Sequence, residues 1–397
     1  MESKNVSELA KQVRGVSYKP EDLHDGLNDK SVILLRANNI NDGKINFDDV
    51  VYVDKSKVSK EQYLQNGDIL ICASSGSKQL VGKAASVDFD IECTFGAFCK
   101  VVRPNPSIAE FLGIYFQSNT YRQKVSEVAI GANINNIRNE HIDNLILSVG
   151  TDEENSEIVR MMKVIQRLID ERKQEVQELD KLVKARFVEL FGDPYFNPYK
   201  WKKLKIADAV TVEPQNGLYK PQTDYIIDGT GIPILRIDCF YNGEVADWGM
   251  LKRLRCTEKD IKRYQLNDDD IVINRVNSIE YLGKCAHITG MKEKTVFESN
   301  MMRMHFDKSR FNPIYITKLL CTQYIHDQII KHAKKAVNQA SINQHDVMDF
   351  DIYLPPLNMQ QEYANFVRQI AKSKAVIEKS LKELETLQAS LMQKYFS

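Results

Sequence analysis

The chain states one plan twice, with a period of about 200 residues, and any fold it adopts must accommodate that repeat. "GVSYKP" (15–20) is answered by "GLYKP" (217–221). "LLRANNINDGKI" (34–45) is answered by "ILRIDCFYNGEV" (234–245), which pairs Leu35-Arg36 with Leu235-Arg236 and Gly43 with Gly243. "NGDILICASSGSKQLVGKAA" (66–85) is answered by "DDDIVINRVNSIEYLGKCA" (268–286), and "GANINNI" (131–137) by "NQASINQ" (338–344). Two long charged-apolar stretches, 157–191 and 362–396, close the copies, with Glu178-Leu179 matching Glu383-Leu384. Identity is modest, but the matches are collinear along the whole chain, which chance does not produce.

Each copy opens with short β-branched runs punctuated by Gly, Asn and Asp, which read as strands and turns. Each then ends in one amphipathic helix. Met162, Ile169, Val176, Val183 and Leu190 recur every seventh residue in the first helix, as do Ile370, Ile377, Leu384 and Leu391 in the second. Sustained seven-residue spacing with charges between is a coiled-coil seam. A helix of some forty residues extends on the order of 60 Å and needs a partner for its stripe. The first helix leads out of copy one and the second lies at the far end of copy two, so an antiparallel pair is expected. The segments expected are 1–150, a helix at 151–192, 193–356, and a helix at 357–397. The fold class is α+β: two β-rich domains in tandem repeat, separated by two long helices forming an antiparallel coiled coil. "FGDPYFNPYKWKKL" (191–204) ends the first helix with a glycine and two prolines. Its "DPYF" lacks the second proline of the amino-methyltransferase motif and reads as a linker.

Composition narrows the function classes. A hydrophobic content of 43% and a charged content of 27% describe an ordinary soluble globular chain, and a cytoplasmic location is expected. No apolar run approaches the roughly 18 residues needed to span a bilayer, and the first residues carry no signal-peptide pattern. The 7 cysteines are scattered without a CxxC pair, which fits reduced thiols better than a zinc site or disulfide framework. The formal net charge is zero, so a nucleic-acid surface has to be a local patch.

The Gly-Lys at the end of each hairpin resembles a phosphate-binding loop and fails as one. A Walker loop has four residues between its first glycine and Gly-Lys, followed by Ser or Thr. Gly76 and Gly82 have five residues between them, and Ala84 or Cys285 follows the lysine. The better reading is a strand (Asp68–Ile71, Asp270–Ile273), a long polar tip and a returning strand. No nucleophile elbow, zincin motif, dinucleotide fingerprint or methyl-donor loop is present. The histidines sit singly, including His141, His287 and His345. No catalytic residue and no metal site is assigned.

Hydrogen-bonding side chains are what the loops offer. Copy one carries Ser74, Ser75, Ser77, Lys78 and Gln79 at the tip, then Asn133, Asn135, Asn136 and Arg138. Copy two carries Asn274, Arg275, Asn277, Ser278 and Tyr281, then Gln339, Ser341 and Asn343. Asn, Gln, Arg and Lys read adenine and guanine edges, while Lys83, Lys284, Arg36 and Arg236 are candidates to position phosphates; Asn38, beside Arg36, is a further candidate for DNA contact. Each residue alone is as well explained by a solvated loop. A shared framework with divergent tips is what two readers of different DNA sequences would show.

The two-copy plan resembles the specificity (S) subunit of type I restriction–modification enzymes over essentially the whole chain. The marks are "NGDILI…GK", the central "ELDKLVKARFVELFGDP", and "DIYLPPLNMQQEYANFV", of which "LPPL…QQ" (354–361) is the most specific. Copy one departs there, with Ser148-Val149-Gly150 where Pro355-Pro356-Leu357 stand. The resemblance implies two target-recognition domains, 1–150 and 193–356, each reading half of a split double-stranded DNA site. It implies spacer helices that bind two modification (methyltransferase) subunits, which methylate adenine, and restriction/translocase subunits that cleave. S-adenosylmethionine, ATP and magnesium would belong to those partners, with no cofactor in this chain. The other classes are a nuclease or methyltransferase with unrecognised motifs, and a coiled-coil scaffold that does not bind DNA.

Overall fold

The computed structural model describes residues 2–77, 79–128, 135–337 and 339–396, without the side chain of Asn135. Two compact units divide the chain: Met1–Glu175 with Ile377–Ser397, and Val176–Val376. The two long helices, Asp152–Phe191 and Leu357–Phe396, each contribute one part to each unit.

Both units are built from the same two sheets. In unit 1 an antiparallel sheet runs Ala84–Ser86, Ile69–Cys72, Cys99–Pro104, Ala10–Arg14. In unit 2 the matching order is Cys285–His287, Ile271–Asn274, Met301–Phe306, Val210–Asn216. The second sheet repeats too: Leu23–His24, Val51–Asp54, Ser31–Leu35, Cys93–Phe95 against Tyr225–Ile226, Lys252–Leu254, Ile232–Leu235, Val296–Phe297. In both, the last pair is parallel. The hairpin strands read ILIC and IVIN because both faces are covered, so every residue of each is buried. One face packs on short helices (Phe111, Tyr115, Tyr121 in unit 1; Tyr315, Ile316, Ile329 in unit 2). The other meets the second sheet through Leu35, Phe95 and Val101, or Leu235, Phe297 and Met301.

The helices pair antiparallel within each unit. In unit 1, Gln388 Nε2 donates to Gln166 Oε1 at 2.8 Å and Lys173 lies 3.4 Å from Glu385. In unit 2, Lys374 Nζ lies 2.9 Å from Asp180 and Tyr363 Oη donates to the Val183 carbonyl at 3.3 Å. The α+β class with an antiparallel helix pair therefore holds. Of the seven-spaced positions, Met162 and Ile169 are buried. Val176, Val183, Leu190, Ile370, Ile377, Leu384 and Leu391 are half-buried. The seam is capped by aromatic plugs: Phe396 packs against Phe111 in unit 1, and Phe187 and Phe191 pack on Tyr315 and Tyr363 in unit 2.

The "LPPL…QQ" stretch has a structural reason. Gln360 is wholly buried at the start of the second long helix. Its Nε2 donates to Pro355 O (2.8 Å) and Arg310 O (3.0 Å), and its Oε1 accepts from Asn312 N (2.8 Å). In copy one the prolines are absent and Asn155 takes the part, bonding both N–H and C=O of Gly150 at 3.0 and 3.1 Å. Gln360→Leu keeps the volume and strands three backbone groups. Each orphaned buried group costs about 1–3 kcal/mol, so a loss of about 3 kcal/mol or more is expected in unit 2. Both tryptophans, Trp201 and Trp248, lie in unit 2, so their fluorescence during urea unfolding reads the change. An unchanged midpoint would mean water replaces the amide.

Candidate nucleic-acid interface

The Gly-Lys pairs are the return points of the hairpins. Gly82 and Gly283 have φ of +79° and +77°. Their N–H groups donate to Cys72 O (2.8 Å) and Asn274 O (3.0 Å). A Cβ on Gly82 would lie 2.8 Å from Val125 Cγ1, and one on Gly283 would overlap Ile329 Cδ1. Only glycine meets both the backbone and the space requirement, which explains why both copies mimic a phosphate loop without being one.

The tertiary structure joins the two polar stretches that are far apart in each copy. In unit 1, Ser74–Ser75 pairs antiparallel with Asn135–Asn136, with Asn135 opposite Ser75 and Asn136 opposite Ser74. In unit 2, Val276–Asn277 pairs with Ala340–Ser341 in the same way. Ile137 N to Ala73 O (2.8 Å) and Ile342 N to Arg275 O (3.0 Å) continue the pairing, and both isoleucines are buried. Each unit thus hangs a small polar sheet on a rigid hairpin, the arrangement in which loops carry recognition.

The two small sheets then diverge. Unit 2 adds a third strand, Lys334–Lys335, paired with Ala340–Ser341. Both lysines are exposed, as is Lys331 at the end of the preceding helix. In a chain of zero net charge this is a local basic patch, and "KHAKK" (331–335) was its unread signal in the sequence. In unit 1, Arg122 instead clamps the tip, donating to Val81 O (2.7 Å) and Gln79 O (2.9 Å). Nothing local marks Arg122 in the sequence, because its partners are backbone carbonyls of a distant loop.

The candidates separate by environment. Ser77, Gln79, Asn136, Arg138, Tyr281, Gln339 and Asn343 are exposed; Ser74, Ser75, Lys83, Arg275, Asn277, Ser278 and Ser341 are half-buried. Arg138 is 3.3 Å from Glu140, and Asn343 caps the helix Gln344–Met348 through Asp346 N (3.0 Å). Lys78 and Asn133 lie outside the described residues.

Several expectations need correction. Asn274 is no tip residue: it is the last residue of the buried strand and 0% exposed. Neither side-chain polar atom meets a hydrogen-bonding protein group among the described residues. Lys284 is not free for a phosphate: its Nζ sits 3.9 Å from the Tyr241 ring centre and 4.9 Å from that of Phe240. Burial lowers its pKa from the ordinary lysine range, and the ring faces hold the cation. Arg36 is bound by Asp49 (2.9 Å), which Asn38 also contacts at 2.8 Å. Arg236 lies 3.6 Å from Glu298 and 3.8 Å from Asp238. These arginines are neutralised within their own unit, which weakens them as phosphate contacts.

No three His, Cys, Asp or Glu side chains gather in a metal-holding group among the described residues, and none of the described helices is long and apolar enough to cross a membrane. The fold defines a class: a tandem repeat, two copies of one framework carrying unlike polar sheets on paired helices. The model of the family described as type I restriction modification DNA specificity domain matches residues 2–181 and 198–386. The chain belongs to that family. It is 30% identical over 410 residues to the type I restriction enzyme EcoKI specificity subunit of Escherichia coli (strain K12), covering 98% of this chain and 87% of that protein. It is 28% identical over 401 residues to the StySPI specificity subunit of Salmonella potsdam, covering 98% and 86%. Its fold matches the crystal structure of a type I restriction-modification system S subunit from M. genitalium, with a TM-score of 0.58, 13% identity, and coverage of 100% and 96%. A second match, from a study of complex assembly and conformational transition of the type I R-M system, has a TM-score of 0.57, 14% identity, and coverage of 100% and 97%.

Proposed function

We propose that this chain is the non-catalytic subunit that reads a bipartite double-stranded DNA site for a type I restriction–modification complex. The observation that carries this reading is the repeat of both sheets in strand order, with matching register around each hairpin strand, under small polar sheets of different composition. Identical frameworks present the tips alike; different tips read different half-sites. Two modification subunits would carry S-adenosylmethionine and methylate adenine, and restriction/translocase subunits would supply ATP- and magnesium-dependent cleavage. The chain contributes base contacts from the small sheets and phosphate contacts from the basic strand of unit 2.

The pure chain is expected to incorporate no labelled methyl groups into DNA and to make no cuts; with its cognate methyltransferase subunits it directs methylation to one split site. In that complex, Arg275→Ala should raise the dissociation constant for DNAs matched at half-site two by about 10-fold or more, the scale of one bidentate base contact, and leave discrimination at half-site one intact. Lys334→Ala with Lys335→Ala should weaken binding to every sequence and reduce the salt slope by roughly two phosphate contacts. Methylation by the chain alone, or equal loss at both half-sites for Arg275→Ala, contradicts the assignment.

A further inference from the structure

Two cysteines of unit 2 meet where the hairpin base rests on the helix behind it. Cys285 opens the returning strand directly after Gly283-Lys284 and is wholly buried. Cys321 follows the helix Pro313–Leu320, at its C-terminal cap; the residue reaches the surface while its sulfur turns inward against Cys285. Their Sγ atoms are 3.4 Å apart, and both are free thiols. The Cys285 Sγ also lies 3.7 Å from Thr317 O, one turn back on the same helix. A disulfide needs an S–S distance of about 2.05 Å, so closing the gap asks for a shift of roughly 1.4 Å shared by two side chains.

The surroundings divide the labour. A Cβ placed on Gly243 would lie 3.6 Å from Cys321 Sγ and 3.5 Å from Lys318 Nζ, which puts sulfur and ammonium within about 7 Å of each other; that ammonium also pairs with Glu244 at 3.2 Å. The hydrogen bond with Cys285 holds the Cys321 thiol below its ordinary range; burial of the sulfur opposes that, and the Lys318 charge assists against the Glu244 carboxylate beside it. Cys285 is pushed well up, by the same bond and by burial. The thiolate is the nucleophile in such chemistry, and its reactivity follows charge environment and access. Unit 1 supplies a contrast. Cys72 and Cys99 face each other on neighbouring strands, but both are buried and burial raises both thiols.

We propose that Cys321 and Cys285 form a peroxide-responsive dithiol, with Cys321 as the attacking sulfur and Cys285 as the resolving one. The Cys321 thiolate attacks one oxygen of hydrogen peroxide, the O–O bond breaks, hydroxide leaves, and Cys321 becomes a sulfenic acid. The Cys285 sulfur displaces the sulfenic hydroxyl, giving the disulfide and water. In sum two thiols are oxidised by two electrons and one peroxide is reduced to two waters, the first rungs of the cysteine oxidation ladder. The bond fastens the base of the second hairpin to the helix packed against it. A dithiol reductant restores both thiols.

The full-length chain, treated with hydrogen peroxide, alkylated and mapped by mass spectrometry, tests this. A Cys285–Cys321 linked peptide should form and disappear with dithiothreitol, with Cys321 lost about tenfold faster than Cys93, whose thiol burial pushes up to about 12. In Cys285→Ser the disulfide cannot form, and Cys321 should advance to the irreversible sulfinic form. In Cys321→Ser, Cys285 should stay reduced as long as Cys72 and Cys99 do. Circular dichroism checks that each variant is folded; if Cys285→Ser is not, the native chain and Cys321→Ser still decide. Cys321 unreactive in the native chain, oxidised without capture of Cys285, or Cys285 oxidised in Cys321→Ser would each overturn the proposal.

Discussion

Gly15→Ala and Gly217→Ala are each expected to cost their unit about 3 kcal/mol or more, the upper range for forced overpacking, while Gly26→Ala stays within about 0.5 kcal/mol. The two glycines open the "GVSYKP" and "GLYKP" matches. Each crosses the neighbouring chain segment so closely that an added Cβ would overlap a backbone carbonyl, of Gly96 in unit 1 and of Phe297 and Glu298 in unit 2. A backbone carbonyl inside a sheet junction cannot rotate aside as a side chain can. Here it is fixed by the bridges Val16 to Gly96 and Leu218 to Glu298. Gly26 has nothing within 4 Å of the same added atom. Amide hydrogen exchange of peptides from strands Ile69–Cys72 and Ile271–Asn274 reads each unit separately. Gly15→Ala should lower protection in the first, Gly217→Ala in the second. Equal, small effects at Gly15 and Gly26 would show that the crossing relaxes at little cost.

Arg103→Ala should be comparably damaging. Asp68, the aspartate that both copies place at the start of the hairpin, is 1% exposed at its side chain. Arg103 grips it with two bonds of 2.7 Å, Nε to Oδ1 and Nη2 to Oδ2, and Nη2 also donates to Tyr63 O at 2.9 Å. Removing one partner of a buried pair leaves an uncompensated charge, at a cost of about 3–5 kcal/mol. The matching carboxylate in copy two, Asp270, is held by Asn267 N (2.8 Å), His305 Nδ1 (3.1 Å) and, at 3.7 Å, Arg303. His305→Ala leaves two of those partners and should cost clearly less. Urea unfolding of both variants, followed by far-ultraviolet circular dichroism together with exchange, compares them. A greater loss in His305→Ala would contradict the idea that a single fork carries the charge in unit 1.

Asp68 and Asp270 also show how far sequence reading reaches. They stand out as the shared carboxylates of the repeat and read as turn residues; each does accept the backbone N–H of its turn, from Gln65 and Asn267. Their burial against Arg103, or against His305 and Arg303, depends on a strand more than thirty residues on, and no local pattern announces it. Lys284 and Asn274 fail for the same reason. Both lie at the hairpin in sequence, and both are polar. Whether such a residue faces solvent depends on where the strand ends and on which rings from 240–241 come to cover it.

The repeat, the α+β class and the helix seam were all legible in the order of residues. Periodicity and collinear matches are properties of order along a chain, and burial of an apolar stripe every seventh residue admits few solutions. The three-dimensional fold was needed to show that the two polar stretches of each copy, 74–75 with 135–136 and 276–277 with 340–341, form one small sheet. It alone added a basic third strand to the second and placed Cys285 against Cys321. Pairing between segments some sixty residues apart is set by the hairpin and helices that bring them together, through backbone bonds that any residue but proline can make, so side-chain identity carries almost no signal of it.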